Sequence, residues 1–241
     1  MCQAKQKNRI GVVAIIVGLC LSVASAAPAQ SKNAKKLAEA TRNTQEAADT
    51  FTEIMNVPDK GIPRDLLDKA EAIGVFEVVK AGFIVGGRSG HGVISRRVKG
   101  GWGAPAFYNL NGGSFGLQIG AAKLELILLF MNTGAIESLM KDKFEMGGEG
   151  SVAAGPVGRS AAASTDAQLK AQILSYSRSK GLFAGLELKG VVISPDNNDN
   201  EPVYGMKASD ILAPAKQWKI TDMPAGVRIF PRTLTRYSTR R

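Results

Sequence analysis

The sequence predicts an α+β protein: a strongly curved, mainly antiparallel and partly barrel-like β-sheet flanked by helices, with a further helix at its N-terminal end. Three observations predict it. Of the 27 glycines, 21 fall between Ala81 and Gly190, a density unsuited to a helical bundle, because each glycine in a helix interior costs about 1 kcal/mol relative to alanine. The same span carries short runs of β-branched and aromatic residues separated by glycine-rich punctuation, the pattern of strands and tight turns. Ahead of it, residues 31–56 are rich in Ala, Lys, Glu and Gln, with apolar residues at near-helical spacing. A chain of 241 residues with 44% hydrophobic and 22% charged residues is long enough for one substantial domain or two small ones.

Lys5, Lys7 and Arg9 precede an uncharged apolar stretch from Ile10 to Val23, and Ala24-Ser25-Ala26 follows. That is the pattern of an export leader cleaved after Ala26; the alternatives are an uncleaved membrane anchor and a lipoprotein acylated on Cys20. Both cysteines, Cys2 and Cys20, lie in this segment, so the mature chain is expected to lack disulfides, thiolate ligands and a thiol nucleophile.

The first helix, placed in a 27–57 segment, has a thin apolar stripe that thickens only at Phe51, Ile54 and Met55. Packing on the domain is its expected role, and an amphipathic membrane anchor the alternative. Pro58 ends it. Pro63 opens a second helix running to about Ala72, with Leu66, Leu67 and Ala70 on its buried face.

From Ile73 the pattern turns to β. Strands are predicted at 73–79 and 82–86, a turn at 87–92 around His91, a strand at 93–97, and a turn at Lys99-Gly100-Gly101. A strand from Trp102 to Asn109 follows, and Asn111-Gly112 signals a hairpin. Strands at 115–120 and 124–130, a helix at 133–143, a small-residue strand within 145–158 and strands within 173–193 complete the domain. Residues 194–200 read as a polar loop. The resulting organisation is a leader at 1–26, a helix at 27–57, a main domain at 58–213 and a basic tail at 214–241. The tail is where the charge lies: residues 207–241 hold eight Lys/Arg against Asp210 and Asp222, so +6 of the formal +10 sits there.

Enzyme and metal chemistries find little support. Gly112-Gly113-Ser114-Phe115-Gly116 fits the G-x-S-x-G pattern, but a nucleophile elbow needs a strand before the serine and a helix after it. Here strand-like sequence follows, and the only histidine, His91, precedes it. One histidine without mature cysteine offers no zinc set, Asp196, Asp199 and Glu201 lack EF-hand spacing, and Gly101 to Ala106 reads as strand, not a dinucleotide turn. No cofactor is expected. The cations carry more: Arg96, Arg97 and Lys99 cluster at one turn, and Arg178 and Lys180 at another, where they could hold phosphate-bearing headgroups. For an exported chain, anionic envelope lipid is the expected partner, not nucleic acid.

At "GWGAPAFYNLNGGSFGLQIG" (101–120) and "LSYSRSKGLFAGLELKG" (174–190) the sequence resembles the SYLF, or Ysc84-type, domain family. "IPRDLLDKAEAIGVF" (62–76), "GFIVGGRSGHGVISRR" (82–97) and "MNTGAIESLM" (131–140) are similar to that family in the same order, so the resemblance covers about residues 58–213. It implies a lipid-binding module without catalysis, here an exported bacterial member. Eukaryotic members bind phosphoinositides, some also bind actin, and they engage membranes through an amphipathic first helix and basic residues. By position, Lys35 and Lys36 on the first helix and Arg178 and Lys180 in the second motif are the matching candidates. The competing expectations are an envelope scaffold with a protein partner and, more remotely, a serine hydrolase using Ser114.

Overall fold

The computed structural model describes residues 27–57, 61–83, 85–115, 120–156, 170–179, 182–185 and 188–238. The leader reading of residues 1–26 therefore lies outside the described residues. In chain order the elements are helix α1 (Ala27–Met55), α2 (Arg64–Lys69), strands β1 (Ala72–Phe83), β2 (Val85–Val98), β3 (Gly101–Trp102), β4 (Ala106–Phe115) and β5 (Gly120–Phe130). Then come α3 (Thr133–Leu139), β6 (Phe144–Met146), β7 (Val152–Ala154), β8 (Ile173–Ser179), β9 (Leu182–Gly185), β10 (Val191–Pro195), α4 (Asn197–Tyr204), α5 (Ala208–Ile211) and α6 (Ile229–Tyr237).

The strands form one sheet in the order β6-β10-β4-β2-β1-β5-β8-β7, with β3 added on β2 and β9 on β8. All pairings are antiparallel except β7 with β8. The sheet curls into a nearly closed barrel flanked by helices, as the composition predicts. Phe76, Val78, Ile94, Leu110, Leu124 and Leu126 share its inner face and are buried. Val75, Val93, Ile127 and Leu129 point the other way, towards the helices, and are equally buried. Helix α1 lies on that outer side, seating Ala47, Ala48, Phe51 and Ile54 with no more than 5% exposure. Its packing against β1, β2 and α6 comes from this apolar stripe, narrow as it is.

Four local expectations are corrected. The predicted turn at 87–92 is the middle of the long strand β2, and the described residues of the predicted 82–86 strand divide between the end of β1 and the start of β2. The glycines mark curvature, not reversal: a Cβ on Gly90 would overlap the Glu77 carbonyl oxygen, and one on Gly92 the Val75 carbonyl and the Phe76 ring. Asn111-Gly112 is likewise no hairpin. It lies inside β4 between β2 and β10, where Gly112 keeps an ordinary negative-φ strand conformation and Ser89 donates to the Asn111 Oδ1. The second helix stops at Lys69, and β1 begins three residues later.

The fourth correction is the polar stretch at 194–200, which is not a loop. Residues 191–195 are strand and 197–204 helix, closed by Gly205 at φ 65°. Its side chains serve as internal pins: the Asn200 amide accepts from Phe107 N at 2.8 Å and donates to Phe107 O at 2.9 Å, fully buried. Residues 214–238 are also built into the body. Val227, Phe230 and Leu234 are buried without exposure, Tyr237 meets Phe51 edge-on at 5.8 Å, and Trp218 donates to Ile211 O.

Candidate functional site

The cations singled out by sequence fall into separate places. Lys35 is exposed on α1. Lys36, next to it, donates to Asp199 of α4 at 2.5 Å and lies 3.6 Å from Glu39. The bond to Asp199 holds its ammonium pKa above the usual 10.5. Arg178 is clamped between Glu125, its cross-strand partner at 2.5 Å, and Glu53 of α1. Those two carboxylates hold the guanidinium firmly in its charged form. Glu53 and Lys36 are 17 residues apart on one helix, about 25 Å at 1.5 Å per residue. Lys36 and Arg178 are thus neither adjacent nor unpaired, and Lys180 lies outside the described residues.

The turn cations behave differently. Arg96 donates to Leu212 O at 2.9 Å. Arg97 donates to Ala70 O, Leu67 O and Ser238 Oγ at 2.7–2.8 Å, with its guanidinium 4.1 Å over the Trp102 ring. It ties α2, the β2–β3 turn and the end of α6 together. Lys99 projects from that turn, which Gly100 closes at φ 86° where a side chain would be strained. Gln217 accepts from the Lys99 backbone N–H at 3.1 Å and so ties the turn to the C-terminal segment.

Lys99 opens onto a cleft of ≈ 820 Å³ that Arg97, Glu71, Trp218 and Lys219 also line. A second recess of ≈ 440 Å³ shares the Lys99 turn and Trp218 and is flanked by Arg232 of α6. Trp218 is fixed by its bond to Ile211 O and by the Lys216 ammonium 4.6 Å over its ring. Lys99, Lys219 and Arg232 are exposed and have no ion-pair partner among the described residues. The cleft is therefore a shaped concavity beside a rigid indole, lined by more cations than carboxylates. Sequence reasoning named Arg97 and Lys99 but left Lys219 and Arg232 in an undivided basic tail. The legible signal was the alternation Lys216-Gln217-Trp218-Lys219, cations interleaved with an aromatic.

Ser114 and His91 do not form a catalytic pair. Ser114 stands on β4 opposite Gly86, in a strand that runs on to Phe115. His91 is five residues along β2 from the position paired with Ser114, about 17 Å at strand spacing. Among the described residues no three His, Cys, Asp or Glu side chains gather to hold a metal ion, and no helix is long and apolar enough to cross a membrane.

Comparison with known proteins gives a consistent result. The model of the Ysc84 family, described as Las17-binding protein actin regulator, matches residues 111–237. The SH3 domain-containing YSC84-like protein 1 of Rattus norvegicus is 35% identical over 168 residues, 67% of this chain and 49% of that protein. Its Homo sapiens counterpart is 34% identical over 168 residues with the same coverage. LAS seventeen-binding protein 3 of Saccharomyces cerevisiae is 38% identical over 151 residues, 61% of this chain and 33% of that protein. The chain thus spans half or less of the length of the curated relatives it matches.

Proposed function

The chain belongs to the Ysc84 family, and from that premise we propose that it is a non-catalytic binding module that docks peripherally on anionic phospholipid surfaces through the Lys99 cleft. The reading includes export, with the leader-like residues 1–26 delivering the chain to the cell envelope. One observation carries it: Lys99 and Lys219 line the cleft and Arg232 the adjoining recess, all without ion-pair partners among the described residues, whereas Lys36 and Arg178 are held by carboxylates of the same chain. Each such cation near an anionic surface contributes about 1 kcal/mol, so three together give roughly a 100-fold preference over neutral lipid. The attraction is between exposed charges and must weaken as salt rises.

Flotation of the full chain with phosphatidylcholine vesicles, with and without a third of the lipid as phosphatidylglycerol, tests this. Binding is expected only to the anionic vesicles, and Lys99→Glu with Lys219→Glu should weaken it at least tenfold while leaving the thermal unfolding curve in place. Equal binding to neutral vesicles, or binding unmoved by the double charge reversal, overturns the reading. A second reading, a protein-interaction scaffold, rests on the family's description as a Las17-binding actin regulator. Co-sedimentation with filamentous actin, or stoichiometric recovery of one envelope protein by the lipid-free chain, would favour it.

A further inference from the structure

At the far end of the sheet from the cleft, two cations face each other without a counter-charge among the described residues. Lys80 of β1 and Arg88 of β2 are direct cross-strand partners, in a register that puts both on the inner face with Val78, Leu110 and Leu124. Opposed side chains of an antiparallel pair have Cβ atoms about 5 Å apart, and like charges so placed repel. Arg88 makes matters worse for the fold. Its side chain runs across Gly112, where an added Cβ would come within 3.3 Å of the Arg88 Cγ, and its Nε and Nη1 are sealed from solvent with no hydrogen-bond partner. The Lys80 ammonium pKa is lowered, first by burial and then by Arg88. Among the described residues no carboxylate occupies this inner face: Glu77 and Glu125 alternate to the outer one.

Buried charge is ordinarily paired, and donors left without acceptors cost several kcal/mol if nothing binds them. We infer that Lys80 and Arg88 form a phosphate-binding site inside the mouth of the curled sheet. A planar guanidinium offers two parallel donors to phosphate oxygens, the neighbouring ammonium a third, and the low-polarity wall strengthens each bond. The side chains below, Val78, Leu110 and Leu124, are buried and fill the floor. The site therefore takes a phosphate group, not the acyl chain attached to it. Gly112 lets the Arg88 stem lie close to β4: an added Cβ would sit 3.3 Å from the Arg88 Cγ and 3.2 Å from Val191, tighter than ordinary contact. Along β2, Arg88 is ten residues from Val98, about 30 Å from the Lys99 cleft, so the two sites succeed or fail independently.

The test is thermal unfolding of the full chain in sodium phosphate and in sodium chloride at matched ionic strength. Phosphate is expected to raise Tm saturably, by about 3–6 °C at ten times its Kd, and chloride is not. Arg88→Met and Lys80→Met should each raise the ligand-free Tm and remove the phosphate response, whereas Lys99→Ala with Lys219→Ala should leave that response intact. If the single variants do not fold, the Arg88 Nε–H resonance of the wild-type protein is the readout: it must shift with phosphate, and a resonance that stays put overturns the site. Phosphatidic acid in phosphatidylcholine vesicles distinguishes the source. Vesicle binding by the Lys99/Lys219 variant that inorganic phosphate displaces identifies a lipid headgroup, and a phosphate response without vesicle binding identifies free phosphate. A Tm insensitive to phosphate, or a response that survives Arg88→Met, overturns the inference.

Discussion

At the residue scale, what a cation does is decided by what it faces, and the same charge takes opposite roles along this chain. Arg97 bonds two backbone carbonyls and Ser238 while stacking on Trp102. Lysine cannot reproduce that planar fork. Arg97→Lys should cost about 2 kcal/mol through acceptors left unpaired, read as a lower urea midpoint with unchanged slope. Lys36 gives a pH signature. Its bond to Asp199 raises its folded pKa above the unfolded 10.5, so the folded state holds that proton more tightly. The stabilisation is then complete below about pH 10.5 and lost as pH climbs through the raised value. The stability gap between wild type and Lys36→Met should stay flat from neutral pH to about 10 and close above it; a gap that closes near neutrality would show that the pair with Asp199 is not its source.

At the element scale, glycine is the residue whose meaning the sequence hides. The sequence around Gly90 and Gly92 reads as a turn because local sequence does not separate a glycine needed for positive φ from one needed for close approach. The structure separates them: Gly100 is at φ 86° with open space around it, whereas Gly90 and Gly92 hold β2 against β1. Gly92→Ala should therefore cost about 3 kcal/mol or more by overpacking, while Gly113→Ala, exposed in β4 with nothing within 4 Å, should gain about 0.5 kcal/mol. Equal effects in urea denaturation would refute the curvature assignment. The fold class was legible because glycine density and apolar spacing are properties of whole segments. Register was not. Arg178 meets Glu125 and Glu53 only because β8 pairs with β5 and α1 crosses them, contacts between residues 53 and 125 positions apart. Its charge was visible in the sequence, its commitment was not. Lys99 could be read because its turn is local.

At the scale of the whole molecule, the C-terminal segment joins charge to packing. Residues 207–241 hold +6 of the formal +10, so deletion is the obvious way to ask whether a basic tail binds lipid. The fold makes that experiment ambiguous. Val227, Phe230 and Leu234 are fully buried, Trp218 nearly so, and Ser238 donates to Leu67 O at 3.0 Å while receiving Arg97. Each large apolar side chain removed from such a site forfeits about 1.5–3 kcal/mol, and three or four of them rival the 5–15 kcal/mol that holds a typical domain together. A chain ending at Ala213 should accordingly lose its cooperative thermal transition and leave Phe51 and Ile54 of α1 uncovered, measured as a broadened circular-dichroism melt and rapid proteolysis of α1. Lost lipid binding in that truncation would report unfolding, not recognition. Charge reversal at Lys219 and Arg232 keeps the apolar contacts, so it separates the two: binding should fall while the melt stays sharp. A truncated chain that melts cooperatively near the wild-type temperature would show instead that α1 and the curled sheet hold together without the basic segment.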